Sequence, residues 1–194
     1  MTKKVFLLFL LIFNITLQAQ ENKTRAESMA AMAMGKEAEG GSLEEVSMIF
    51  SEAIKISPDF AELYAMWGTL IMKYAVKENN LDLFDSCFEK FKKAVEIKPD
   101  YPEIYNFWGI CLAYCGHEKK DDKLFNESFD KFAKAVELNS NYSDGYLSWG
   151  NTLLTYAQQK KDEPSYYKEC IQKYDKVLEN SPESFEANNG RGYA

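Results

Sequence analysis

The stretch CLAYCGH, from Cys111 to His117, brings two thiols and the only imidazole of the sequence within seven residues. Groups of this kind hold zinc, and a cysteine beside a histidine can act as nucleophile and base. Neither chemistry is expected here. A closed zinc site takes four ligands at recognised spacing, and three are at hand. His117 stands in the charged run HEKKDD, where a solvated turn accounts for it, and no Ser/His/Asp or Cys/His set can be assembled around it. The paired carboxylates Glu44 and Glu45, or Asp121 and Asp122, are chain neighbours, so on a helix they point apart. No phosphate-cradling glycine loop and no calcium-loop pattern occurs. The chain is therefore not expected to be an enzyme, and no metal, cofactor or small-molecule substrate is expected.

The remaining cysteines have a bland reading. Cys87 and Cys170 occupy a small-residue position that Ser128 fills in the segment between them, so packing is expected of both. Cys111 and Cys115 lie four apart, a separation that can just be bridged but would constrain little.

What must position any site is a repeat. DFAELYAMWG, DYPEIYNFWG and NYSDGYLSWG place Trp67, Trp108 and Trp149 at intervals of 41 residues, the mark of stacked repeat units. At about 100° per residue, Tyr64, Trp67, Gly68, Ile71 and Tyr74 share one side of a helix. Tyr105, Trp108, Gly109, Leu112 and Cys115 repeat that side, as do Tyr146, Trp149, Gly150, Leu153 and Tyr156. The stripe is expected to be buried. A glycine within a helix costs about 1 kcal/mol relative to alanine, so three at one register imply a second helix packed against the missing side chain. Gly116 is expected to lie outside that contact.

The partner helices are CFEKFKKAVEIKP, SFDKFAKAVELNS and CIQKYDKVLENSP. Each carries a small residue, an aromatic four later and Ala or Val three after that: Cys87, Phe91, Ala94; Ser128, Phe132, Ala135; Cys170, Tyr174, Val177. Pro99 and Pro182 stop their helices. VSMIFSEAIKISP, with Val46, Phe50, Ala53 and Pro58 at the same intervals, follows a helical run ending at Gly40 and Gly41 and gives a first, degenerate pair.

With these positions aligned, the chain resembles a tetratricopeptide-repeat (TPR) protein of the exported bacterial type, from about residue 29 onward. It departs from that pattern in three ways: tryptophan stands for the usual leucine, Ser140 for a closing proline, and the period is 41 rather than 34. About one added turn on each helix absorbs the extra residues. The resemblance implies an all-α fold, a right-handed superhelical solenoid of antiparallel helix pairs. The expected divisions are a degenerate repeat over 29–58, repeats over 59–99, 100–140 and 141–182, and an incomplete further one over 183–194. That last segment, barely two turns long, is expected to fray, leaving Ile171, Tyr174 and Leu178 poorly covered and this end either pairing with another subunit or cut short.

The resemblance also implies a concave groove, lined by the first helices, that binds a protein or peptide. The side left free by the buried stripe carries Glu62, Ala65, Thr69, Met72 and Lys73, then Glu103, Asn106, Ile110, Ala113 and Tyr114, then Asp144, Leu147, Asn151, Leu154 and Thr155. An acidic rim (Glu62, Glu103, Asp144) and an apolar floor (Met72, Ile110, Leu147, Leu154) are expected, with too few lysines and asparagines to capture a terminal carboxylate. The alternative is a structural spacer in a cell-envelope assembly, contacting partners by its outer surface or ends.

Residues 1–19 have the layout of a secretory signal peptide: Lys3 and Lys4, an apolar run from Val5 to Phe13, and a small-residue exit at Ala19. Export to the periplasm is expected, with residues 20–28 a linker; a membrane location follows only if the leader stays as an anchor. The formal charge is -7, and removing Lys3 and Lys4 with no acid takes it to about -9, which disfavours nucleic acid.

Overall fold

The computed structural model describes residues 3–160 and 163–194. Met1 and Thr2 of the expected leader, and Lys161 and Asp162 of the third repeat, lie outside these. The described residues form nine helices and no strand: α1 (Lys3–Ala38), α2 (Leu43–Ile56), α3 (Ala61–Glu78), α4 (Leu83–Ile97), α5 (Pro102–Lys119), α6 (Asp122–Leu138), α7 (Ser143–Gln159), α8 (Pro164–Asn180) and α9 (Phe185–Tyr193). No described helix is long and apolar enough to cross a membrane. The chain divides into two compact units, one ending at Trp67 and one spanning Gly68–Ala194.

In the first unit α1 packs on α2. Ala26, Ala30 and Ala33, spaced four and three, are buried, as are Val46, Phe50 and Ala53 of α2. The chain reverses at Gly40, whose φ of +89° suits a residue without a Cβ. Ser42 then opens α2 with a capping box: its hydroxyl accepts from Glu45 N–H at 3.2 Å, and its own N–H donates to the Glu45 carboxylate at 2.8 Å. Residues 20–28, expected as a linker, are helical within α1, because the alanine seam against α2 already begins at Ala26. Trp67 stacks on Phe50, ring centroids 6.0 Å apart, and its indole N–H donates to Ser47 Oγ at 3.1 Å.

The second unit is built on the glycine register. An added Cβ at Gly68 would meet the Phe91 ring at 3.2 Å, at Gly109 the Phe132 ring at 2.7 Å, and at Gly150 the Tyr174 ring at 2.8 Å. Phe91, Phe132 and Tyr174 are fully buried. Each second helix thus presses its aromatic into the gap left on the first. The small residue one turn earlier reinforces the seam: Cys170 Sγ donates to Gly150 O, and Cys87 Sγ lies against Gly68 O, both at 3.2 Å. The extra residues of the 41-residue period sit in the long helix ends, so only 79–82 separate α3 from α4 and only 120–121 separate α5 from α6. Where Ser140 replaces proline, α6 still stops at Leu138, and Asn139 Oδ1 accepts from Asn141 N–H at 3.1 Å.

Several expectations change. The tryptophans are half-buried: Lys131 Nζ lies 4.1 Å over the Trp108 ring and Lys173 Nζ 3.6 Å over Trp149. Gly116 is buried, with a would-be Cβ 3.2 Å from Asp121 O and from Leu124 and Phe125. Cys87, expected to do no more than pack, is joined to Cys111 by a disulfide across α4 and α5, with the Cα atoms 7.6 Å apart, so Cys111 is not bridged to Cys115. Cys115 is free and buried, and burial pushes its thiol above the ordinary range. Finally, Tyr174 is covered, because α9 packs on α8 and brings buried Ala187 and Gly190 to it; Gly190, like Gly150, makes room for the ring.

Replacing Gly109 by Leu forces a branched side chain onto Phe132 and should cost about 3 kcal/mol of stability. Gly35→Ala, in α1 with nothing within 4 Å of its Cβ position, should be neutral or stabilise by up to about 1 kcal/mol. Denaturant unfolding of both variants checks the contrast; equal destabilisation would contradict it.

Candidate functional site

With its glycine face turned to the partner helix, each first helix of the second unit offers another face sideways, and α5 packs against α7 there. The contact leaves an open pocket of about 330 Å³. Ile110, Ala113, Tyr114 and His117 of α5 form one wall, Ser148, Asn151, Thr152 and Thr155 of α7 the other, and Phe125 of α6 the base. The aromatic lining is held in place: Tyr114 stacks on Phe84 at 5.8 Å between centroids, and Phe125 packs against Tyr156 at 4.6 Å. Asn151 Oδ1 accepts from the Tyr174 hydroxyl at 2.8 Å, which ties the pocket wall to the seam of the next pair. Burial raises the Tyr174 phenol well above its ordinary range, so this donor stays protonated.

Of the residues expected on the free face, the structure brings together Ile110, Ala113, Tyr114, Asn151 and Thr155. Glu103 and Asn106 continue the same face toward the start of α5, while Asp144 is exposed at the start of α7. Leu147 and Leu154 leave the expected floor and pack on the core of Leu153, Cys170, Tyr174, Val177 and Ala187. Asn106 and Ala113 are buried rather than free, since the angle count of one helix ignores the neighbouring first helix. On α3, Thr69 and Met72 are half-buried and Lys73 is exposed in the second unit; Glu62 is half-buried and Ala65 buried in the first. His117, Ser148, Thr152 and Phe125 were not expected. His117 belongs to the last turn of α5, not to a turn, and its spacing of three from Tyr114 and seven from Ile110 is the signal that places it on the pocket face. No group of acids, thiols and imidazoles that could hold a metal ion occurs among the described residues.

Near the start of this face, Tyr142 sits beside Gly145, where a Cβ would meet its ring at 2.6 Å. Its phenol is pushed up to about 12, first by burial and then by the Glu103 and Asp144 carboxylates.

No protein-family model matches the chain, and no curated protein matches it. Solved structures do. A crystal structure of MamA protein superposes with a TM-score of 0.59 at 20% identity, covering 89% of this chain and 80% of that one. A second MamA structure gives 0.57 at 21%, over 82% and 80%. TTC0263, a thermophilic TPR protein of Thermus thermophilus, gives 0.51 at 15%, over 86% and 97%. The fold is a TPR fold. In TPR terms α3/α4, α5/α6 and α7/α8 are helix pairs of successive repeats, and the pocket lies between the first helices of two of them.

The Tyr142 phenol carries a prediction. Its folded value of about 12 exceeds the ordinary 10, so folding favours the protonated form. That contribution is complete below pH about 10 and is lost as pH rises through about 12. Tyr142→Phe should therefore flatten the alkaline loss of thermal stability in that window. Parallel loss in the parent and the variant would contradict the assignment.

Proposed function

We propose that this chain is an exported binding scaffold whose first-helix face, centred on the pocket between α5 and α7, takes up a segment of a partner protein. The observation that supports the reading most is the pocket itself: apolar walls at Ile110, Ala113 and Phe125, with a few placed polar groups at Ser148, Asn151 and Thr155. Binding clefts have this composition, an apolar lining with sparse polar groups to fix orientation. The repeat architecture supports it too, since helices tied by a stiff seam hold such a face in shape without a ligand. Glu62, Ala65, Thr69, Met72 and Lys73 are proposed as the corresponding positions on α3, and Leu147 and Leu154 as supports behind the wall.

Export rests on the leader: two lysines, a short apolar run and an exit at Ala19. The apolar side chains from Leu7 to Leu17 are all exposed on α1, as a segment destined for removal would leave them. The proposed location is the periplasm.

A photo-crosslinking side chain at Ile110 or Thr155 should attach the partner in intact cells, and Ile110→Glu should abolish capture from Thr155. The same group at Glu89 or Asp130, on the exposed faces of α4 and α6, should attach little. Capture from Glu89 and Asp130 alone would favour a spacer held by its outer surface and would overturn the groove reading.

A further inference from the structure

The early part of α1 carries a reactive residue at the point where the leader would end. From Leu7 to Glu21 every side chain is exposed, and the buried seam against α2 begins only at Ala26. A helical stretch without a packed face is marginal in water, so it opens readily to a peptidase. Just before the seam, Lys23 Nζ lies 4.8 Å over the Phe60 ring and holds α1 to its unit. Gln20 precedes that contact, is exposed, and follows Ala19 directly. A cut after Ala19 therefore makes Gln20 an amino-terminal residue with nothing packed on it. Glutamine is the one residue whose side-chain amide lies where its own α-amine can close a five-membered ring.

After such a cut the first N–H groups of the shortened α1 have no intrahelical acceptor, so the new amine is not engaged by the helix. The positive end of a helix also disfavours an ammonium and holds the amine toward its neutral, nucleophilic form. We propose that Gln20 becomes the amino terminus of the exported chain and cyclises to pyroglutamate, closing α1 with an uncharged lactam. The α-amino nitrogen of Gln20 attacks Cδ of its own side chain, and the new N–Cδ bond completes the ring. The bond from Cδ to Nε2 breaks, a proton passes from the amine to the departing nitrogen, and ammonia leaves. Nothing is oxidised or reduced, and no co-reactant is consumed. Two features of the fold favour the product. Loss of the terminal charge removes its repulsion from the helix dipole and leaves Glu21 in the first turn, where an acid is favourable. A five-membered ring at a helix start is also what Pro102 supplies to α5 and Pro164 to α8. The inference rests on the export reading above and names the chemical state of the terminus that export creates.

The test uses the full chain with its leader, produced in a bacterium that exports it and purified from the periplasm. Its intact mass should match a chain beginning at Gln20 less one ammonia, and amino-terminal sequencing should fail until a pyroglutamyl peptidase has removed the first residue. Gln20→Asn, one methylene shorter, cannot close the five-membered lactam and should give a terminus that is sequenced directly. In that variant the backbone amides of residues 22–25 should exchange about two- to fivefold faster than in the parent. A parent chain beginning at Gln20 with a free amine would overturn the ring and keep export, as would one beginning at Glu21. A chain that retains the leader would overturn the export reading and this inference with it. Equal exchange in a cyclised parent and in Gln20→Asn would overturn the closing of α1 by the ring.

Discussion

An aromatic ring set into the place of a missing Cβ is the contact on which the second unit depends. Phe132 at Gly109 and Tyr174 at Gly150 stand closer than a Cβ at the glycine would permit, and Phe91 at Gly68 leaves a Cβ only a tight fit. A helical glycine costs about 1 kcal/mol, while burying an aromatic ring recovers more than that. The sulfurs of Cys87 and Cys170 close the same seam against the carbonyls of Gly68 and Gly150. Because the contact is tight, it also fixes rotation: each first helix has one angular setting, and its remaining faces are determined.

The groove follows from that setting. With Gly109 turned to Phe132, Ile110, Ala113 and Tyr114 have to face α7, and with Gly150 turned to Tyr174, Asn151 and Thr155 have to face back. Asn151 joins the two functions, since it lines the pocket and accepts the Tyr174 hydroxyl. A surface held this way keeps its shape without a ligand, so the binding role proposed for it would carry little ordering cost.

Much of this was legible in the sequence because the glycine and its aromatic recur at a constant interval, and a register that repeats is visible without coordinates. What the periodicity of single helices could not supply was their lateral neighbours. Leu147 and Leu154 lie at groove angles on α7 but are drawn onto the core that includes Ala187, and Asn106 is buried where α5 meets α7. His117 was hidden by the charged run around it, which reads as a turn until α5 is seen to continue to Lys119. Cys87 and Cys111 meet across two repeats, a contact that no spacing within one helix implies. The covering of Tyr174 by α9 had no sign in the sequence, since a short helix read alone shows nothing of its partner; in the structure it is Gly190 that makes room for the ring.

The central claim is that the glycine and the ring are energetically one feature, and a double-mutant cycle on Gly109 and Phe132 measures this directly. Gly109→Ala should destabilise the native background by about 2 kcal/mol, and Phe132→Leu, which vacates the ring's space, should remove most of that cost, giving a coupling of at least about 1 kcal/mol. Effects that add to within about 0.5 kcal/mol would show two independent positions and contradict the account.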